Sequence, residues 1–300
     1  MQLSLYTSCI AKHAYQRDRN MISIGKTYEL CVTKKVDFGF YVDAGELGEV
    51  LLPNRYAPQN LAVGDVLEVF LYHDSEGRPV ATTQRPKAQV EQVAYLEVVD
   101  VNPVGAFMDW GLDKDLLVPF GEQHRPMEVG HSYLVFIYLG LADGRITASS
   151  KIDKFIEDEA PKSYKPRQAV DLIIANSTEL GFKAIVNHRY WGVLYKDEVF
   201  QRLSFGQTIK GYIKHIRADG KIDLSLQGGQ ESRDKNQQII LDYLKKQQGF
   251  AAVHDKTDPQ TIVNLFGISK GAFKKAISSL YKQRLIVIGK DGISLVEKSQ

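Results

Sequence analysis

Short runs of alternating hydrophobic and polar residues, rich in β-branched and aromatic side chains, follow one another from about residue 24 onward. Alternation with a period of two is typical of strands that bury one face and expose the other. Gly45, Gly48 and the turn at 76–78 separate these runs. The first stretch therefore predicts one small closed barrel, with five strands at 28–33, 38–43, 50–52, 66–73 and 80–83.

The same strand pattern occurs twice more, with a period of about 65 to 75 residues. Because this period is longer than a solenoid repeat, we expect separate barrels rather than one continuous stack. The predicted strands lie at 95–99, 105–109, 116–119, 132–138 and 144–149 in the second copy, and at 170–174, 181–186, 192–195, 208–213 and 220–226 in the third.

After residue 228 the hydrophobic period becomes helical. Asp258 is a candidate N-cap followed by Pro259 at the first helical position, and Ser269 is a candidate N-cap for the next helix. Three helices and a hairpin form the pattern of a winged helix-turn-helix. The predicted helices are at 236–248, 258–266 and 269–283, and the predicted strands are at 285–288 and 293–296.

The predicted fold class is mainly β with an α+β C-terminal domain. Pro161 and Pro166 lie in a charged stretch that predicts a short helix and a linker. Residues 1–20 match no part of the repeat and are expected to form a weakly tied extension. The predicted domains are the extension at 1–20, barrels at 21–86, 87–150 and 168–228, the linker at 151–167 and the winged helix at 229–300.

Composition narrows the class of protein. Hydrophobic residues make up 44% and charged residues 25% of the 300 positions, which is typical of a globular protein. The absence of a long apolar run or a signal peptide predicts a cytoplasmic protein without a membrane partner. Cys9 and Cys31 are expected to be apolar fillers or free thiols. Because catalytic and metal-binding motifs are absent, we predict no enzyme, no cofactor and no metal.

Charge is distributed unevenly along the chain. Residues 86–150 carry 4 Lys and Arg against 9 Asp and Glu, whereas residues 231–300 carry 12 against 7. If a polyanion binds, these counts favour the C-terminal half.

Aromatic and charged residues recur at fixed places in the barrels. An aromatic ring can stack on an unpaired base, and a cation can neutralise a phosphate. In the first barrel the residues of this kind are Phe38, Tyr41, Asp74 and Arg78. Their spacing resembles the S1-type RNA-binding domain, a variety of OB-fold, and the resemblance implies that they form one RNA-binding patch. Alternation predicts that Tyr41, rather than Phe40, points outward.

The other two barrels keep only part of this patch. The second has Phe107 and Arg145 in acidic surroundings, so it is expected to serve mainly as a spacer. The third has Tyr195, placed at the position of the family's histidine, and Arg217 and Lys221 at the last hairpin. The third barrel is therefore expected to contribute mostly charge.

Two further features are candidate contacts. Tyr190 and Trp191 are predicted to lie in a loop, where they either contact nucleic acid or cover the end of the barrel. The face of the third helix opposite its apolar stripe is rich in lysine and is suited to a phosphate backbone. The candidate lysines are Lys270, Lys274, Lys275 and Lys282.

The order of domains, together with the run FGISKGAFKKAISSL that begins at Phe266, resembles the conserved virulence factor B family of YitL-like bacterial S1 proteins. The resemblance covers about residues 21 to 298 and implies a cytoplasmic RNA-binding protein that influences gene expression after transcription. We predict a non-catalytic protein that binds single-stranded RNA, with DNA as an alternative ligand. A protein-interaction scaffold and a DNA-binding regulator that uses the winged helix stay open as alternatives.

Overall fold

The computed structural model of the chain describes residues 21–140, 144–227 and 229–296. The predicted extension at 1–20 lies outside the described residues. The chain divides into two compact units, one up to Phe155 and the other from Ile156 onward. No described helix is long and apolar enough to cross a membrane.

The first barrel closes as predicted. Its strands pair in the order β1-β2-β3-β5-β4, and alternate side chains of β1 and β2 point into its core, among them Leu30, Val32, Phe40 and Val42. The strands are β1 (Thr27–Val36), β2 (Gly39–Asp43), β3 (Glu49–Pro53), β4 (Val66–His73) and β5 (Pro79–Thr82).

The second and third barrels repeat this plan. The second is a five-stranded sheet in the order β10-β9-β6-β7-β8, and the third closes in the order β11-β12-β13-β15-β14. Their strands are β6 (Val93–Asn102), β7 (Gly105–Asp109), β8 (Leu116–Pro119), β9 (Ser132–Leu139), β10 (Ile146–Ser149), β11 (Ala169–Ser177), β12 (Gly181–Val186), β13 (Tyr190–Tyr195), β14 (Thr208–Ile216) and β15 (Ile222–Ser225).

A glycine begins the second strand of every barrel and brings two strands unusually close. A Cβ atom on Gly181 would lie 2.0 Å from the carbonyl oxygen of Leu194, and one on Gly105 would lie 2.4 Å from that of Val118. Only glycine permits this approach, so the glycine fixes the register of each barrel. The pairs are Gly39 with Pro53, Gly105 with Pro119 and Gly181 with Tyr195.

The first two barrels pack against each other within the first unit. Phe70 of β4 lies edge-on to Trp110, with ring centroids 5.7 Å apart, and both belong to one buried cluster. Tyr56 donates a hydrogen bond of 2.7 Å to Asp113, and Lys26 pairs with Glu91 at 2.8 Å. Because apolar side chains of the two barrels are buried against each other, the barrels form one packed body rather than two loosely joined ones.

The winged helix has three helices and a three-stranded sheet in the order β16-β18-β17. Both predicted caps are present: Asp258 accepts a hydrogen bond from the Thr261 N–H, and Ser269 accepts one from the Ala272 N–H. The elements are α1 (Gly229–Lys246), β16 (Phe250–Ala251), α2 (Pro259–Phe266), α3 (Lys270–Lys282), β17 (Ile286–Ile288) and β18 (Ile293–Leu295). The predicted fold class is confirmed.

The segment predicted as a linker has local structure. A short 3-10 turn covers Ile152–Lys154, and Phe155 stacks on Phe136 with ring centroids 4.3 Å apart. In the second unit, Tyr164 lies edge-on to Tyr190 at 5.5 Å. These aromatic contacts hold a mostly exposed stretch that its prolines and charges indicate only as irregular. The domain boundaries themselves stay predictions.

Two expectations from the sequence are wrong. Tyr190 and Trp191 are not in a loop but on β13, and both are buried, because the chain reverses at 187–189 with Asn187 and His188 in left-handed conformations. Cys31, on β1, is buried, as expected of an apolar filler, but it is disulfide-bonded and not a free thiol. Cys9 lies outside the described residues.

Candidate nucleic-acid interface

The first barrel presents two aromatic rings on or beside β2. Phe38 lies in the turn before the strand and is 59% exposed. Tyr41 is partly exposed and Phe40 is buried, as the alternation predicted. Lys34, opposite Tyr41 on β1, places its Nζ 6.0 Å from the centroid of the Tyr41 ring. Rings beside a cation form a surface suited to a base and its phosphate.

The last hairpin of the first barrel forms its own ion pair. Arg78 donates to Asp74 through Nε at 2.9 Å and through Nη2 at 2.8 Å, and it also pairs with Glu76 at 2.9 Å. Desolvation by itself would raise the pKa of Asp74, but hydrogen bonds from Arg78 and from the Glu76 N–H hold it below its usual value. Arg78 is therefore paired with two carboxylates of its own hairpin, whereas the Tyr41 ring lies beside the ammonium group of Lys34.

The second barrel has the same framework with opposite charge. Phe107 lies on β7 between Asp100 of β6 and Leu117 of β8. Arg145 is exposed on the hairpin that leads to β10. The cross-strand neighbour of the aromatic residue is an acid here and a lysine in the first barrel, so the charge at this position is opposite in the two barrels.

The strand register corrects the predicted place of Tyr195. Tyr195 lies opposite Gly181, as Pro53 lies opposite Gly39. The residue that matches Leu51 of the first barrel is instead Val193, which lies opposite Lys183. The glycine fixes this register, so the position expected for the family's histidine is two residues earlier than Tyr195.

Tyr195 and Arg217 are nevertheless in contact. The Arg217 guanidinium donates to the Tyr195 hydroxyl and to Asp223, with Nε and Nη2 at 2.9 and 2.7 Å from Asp223 Oδ1. The hydrogen bond to Asp223 raises the pKa of Arg217. Asp223 is a member of this cluster that the sequence did not reveal, although its outward place on β15 follows from alternation. Lys221 is exposed and lies 3.6 Å from Asp219.

A groove of about 550 Å³ runs along the outer face of the third barrel. Lys183 places its Nζ 3.6 Å from the centroid of the Trp191 ring in its wall. The exposed Leu180 and the cationic Lys221 line other parts of the same groove. The groove lies on strands β12 and β13 and between the two loops that OB-folds use for oligonucleotides, and its full lining is Asp158, Thr178, Glu179, Leu180, Lys183, Trp191, Gly192, Val193, Lys221 and Ile222.

The lysines of α3 lie where the helical pattern placed them. Lys274, Lys275 and Lys282 are exposed, and the opposite face is buried in the core of the winged helix. Lys270, at the first position of the helix, is half-buried and donates to the carbonyl oxygen of Lys256 at 3.4 Å. Three of the four predicted lysines are therefore open to a polyanion.

Within the described residues, no group of His, Cys, Asp and Glu could hold a metal ion.

Comparison with known proteins supports this organisation. The family model of the S1 domain matches residues 24–84, and that of the CvfB-like winged helix domain matches residues 238–295. Neither is an enzyme family. The "Uncharacterized protein YitL" of Bacillus subtilis (strain 168) is 26% identical over 282 residues, which cover 91% of this chain and 93% of that protein. "Conserved virulence factor B" of Staphylococcus aureus (strain N315) is 26% identical over 253 residues, 79% of this chain and 82% of that protein.

Solved structures are also similar. A multidomain protein with nucleic acid binding domains from Streptococcus pneumoniae TIGR4 is 23% identical, covers 91% of this chain and 98% of its own, and superposes with a TM-score of 0.37. Drosophila Unr CSD456 is 12% identical, with 68% and 97% covered and a TM-score of 0.19.

The fold and the two family matches define the chain as a protein of three tandem barrels, the first of which matches the S1 domain, that ends in a CvfB-like winged helix. More particularly, it is a relative of YitL and of conserved virulence factor B over most of its length, which confirms the resemblance seen in the sequence.

Proposed function

We propose that this chain is a non-catalytic RNA-binding protein that holds single-stranded RNA by base stacking and phosphate contacts and acts in post-transcriptional regulation. The groove on the third barrel is the observation that carries this proposal. It combines the largest aromatic side chain, Trp191, with Lys183 and Lys221 on the face that OB-folds use for oligonucleotides.

A base entering the groove would take the place of the Lys183 ammonium on the Trp191 ring. Stacking of a base on an aromatic ring contributes ~1–3 kcal/mol. The displaced Lys183 and the neighbouring Lys221 would then lie close to the phosphates on either side of that base. The groove thus offers both kinds of contact that a single strand needs, and neither depends on the base sequence.

Phe38 and Tyr41 supply a second stacking surface on the first barrel, with Lys34 as its cation. The exposed Lys274 and Lys275 of α3 add phosphate contacts in the C-terminal domain. Because phosphate contacts position a nucleic acid without reading its sequence, we infer weak sequence preference.

We rank the predicted contacts of the second barrel last. Phe107 lies beside Asp100, and the acidic surroundings oppose phosphate near Arg145. Asp74 and Arg78 of the first barrel satisfy each other, so we propose that they shape the hairpin and that Arg78 meets phosphate at its edge.

Titration of labelled single-stranded RNA with the full chain at two salt concentrations tests the proposal. We expect micromolar or tighter binding that weakens steeply with salt, and weaker binding of duplex DNA of the same length. Lys183→Met should weaken RNA binding several-fold, whereas the matched Lys87→Met, in an ion pair of the acidic barrel, should not. Undetectable binding at low salt would refute the proposal, and a preference for duplex DNA would favour a DNA-binding regulator.

A further inference from the structure

The second barrel has an apolar surface on the outside of its sheet. Ala106 and Met108 point into the core, so Phe107, between them on β7, points outward. Its cross-strand neighbour Leu117 is likewise outside the core, and Val104 in the adjoining turn is 58% exposed. These residues form one partly exposed apolar strip.

Carboxylates surround this strip. Asp100 lies directly opposite Phe107 on the neighbouring strand. Asp115 precedes β8, and desolvation by burial, followed by repulsion from the charges of Asp109 and Asp100, raises its pKa. Lys87 neutralises Asp109 at 2.6 Å. Within the part of the chain that the structure describes, neither Asp100 nor Asp115 forms an ion pair with a basic side chain.

At the same position of the strand framework, the second barrel carries a charge opposite to that of the first barrel. Lys34 occupies the register position of Asp100, and Tyr41 that of Phe107. The strip therefore keeps the shape of a base-stacking surface while its charge opposes phosphate. A partner that fits must supply cations together with apolar side chains.

We propose that the face formed by Val104, Phe107, Leu117, Asp100 and Asp115, here called the acidic face, docks a cationic, apolar segment of a partner protein. Lysine and arginine side chains suit it because their aliphatic stems cover apolar surface while their charged ends reach the carboxylates. The Phe107 ring also attracts a cation above its plane. The excess of acid over residues 86–150 steers such a segment toward the barrel.

Two fluorescent peptides probe the acidic face on the full chain. One alternates lysine with leucine, and the other alternates lysine with serine at the same charge. We expect the lysine–leucine peptide to bind at least ten-fold more tightly. Asp100→Asn with Asp115→Asn should weaken its binding about ten-fold, and Phe107→Ser about five-fold. The matched Asp37→Asn with Glu49→Gln, exposed acids of the first barrel, should change it less than two-fold.

Three results would overturn this proposal. Equal binding of the two peptides would show attraction by charge alone, and unchanged binding by the Asp100 and Asp115 variant would place the peptide elsewhere. A loss of RNA affinity in Phe107→Ser as large as that in Lys183→Met, with thermal unfolding unchanged, would assign the face to RNA. Because Asp100 and Asp115 are exposed, their variant keeps the test valid if Phe107→Ser fails to fold. The peptide test does not require RNA binding, so it stays valid if the RNA titration fails.

Discussion

At the scale of single residues, one barrel framework carries three different surface chemistries. The glycine that starts the second strand fixes the register, so outward positions can change without disturbing the core. The residue two positions after this glycine, on the second strand, pairs with a residue of the first strand. These pairs are Tyr41 with Lys34 in the first barrel, Phe107 with Asp100 in the second, and Lys183 with Asn176 in the third.

We expect Arg217 and Lys221 of the third barrel to contribute more to RNA affinity than Arg145 of the second barrel does. Arg217→Ala with Lys221→Ala should weaken RNA binding more than Arg145→Ala does. The first change removes two cations and leaves the Asp223 carboxylate without its guanidinium partner, so it also adds repulsion of phosphate. Titration of all three proteins at one salt concentration checks the order, and equal losses would refute the ranking.

The contacts that define the groove could not be predicted from the sequence. Alternation indicates which side of a strand a residue occupies, so Phe40 and Tyr41 were assigned correctly. It does not indicate which strands pair, and the contact of Lys183 with Trp191 joins two strands. Without the register, Tyr195 was placed two residues too late along β13.

At the scale of secondary-structure elements, helix caps determine where α2 and α3 begin. Asp258 accepts from the Thr261 N–H at 3.0 Å, and Ser269 accepts from the Ala272 N–H at 3.1 Å. Each cap satisfies an N–H group that the helix cannot pair internally.

Asp258→Ala should lower the free energy of unfolding by ~1 kcal/mol, as is typical for the loss of a capping side chain. Urea denaturation monitored by the circular dichroism of the helices of the C-terminal domain measures this free energy. The control is Gln260→Ala at an exposed position of the same helix turn, which loses only a solvent-exposed hydrogen bond to Asn264, so we expect a change of at most ~0.5 kcal/mol. A loss in the control equal to that in Asp258→Ala would show that capping is not the cause.

The lysine face of α3 should contribute affinity without sequence preference. Lys274→Gln with Lys275→Gln should weaken binding of several single-stranded RNA sequences by the same factor and make the dependence on salt shallower, because each lost phosphate contact removes counterion release. Titrations of two unrelated sequences measure both effects. A loss confined to one sequence would instead indicate direct reading of bases.

The elements were largely predictable because the signals were local. The bounds of β4, β7, β8 and β12 match the hydrophobic runs, and the cap with proline gave the start of α2. The two-residue strand β16 has no local signal of its own, since it forms only by pairing with β18. The same dependence on distant pairing explains why β13 begins before the predicted strand.

At the scale of the whole molecule, the chain combines three barrels that share one architecture but differ in their surface residues. The first barrel carries exposed rings with a lysine, the second carries an acidic face, and the third carries the groove with Trp191. The basic C-terminal residues add exposed lysines on α3. Our two proposals therefore place RNA on the first and third barrels and the winged helix, and a protein partner on the second barrel.

Photo-crosslinking of the full chain to single-stranded RNA that contains 4-thiouridine, with the sites mapped by mass spectrometry, tests this assignment most directly. We expect crosslinked peptides to concentrate on residues 181–195 of the third barrel, with further sites at 38–41 and on α3. Crosslinks concentrated on residues 100–117 of the second barrel, or none above background at micromolar protein, would contradict the account.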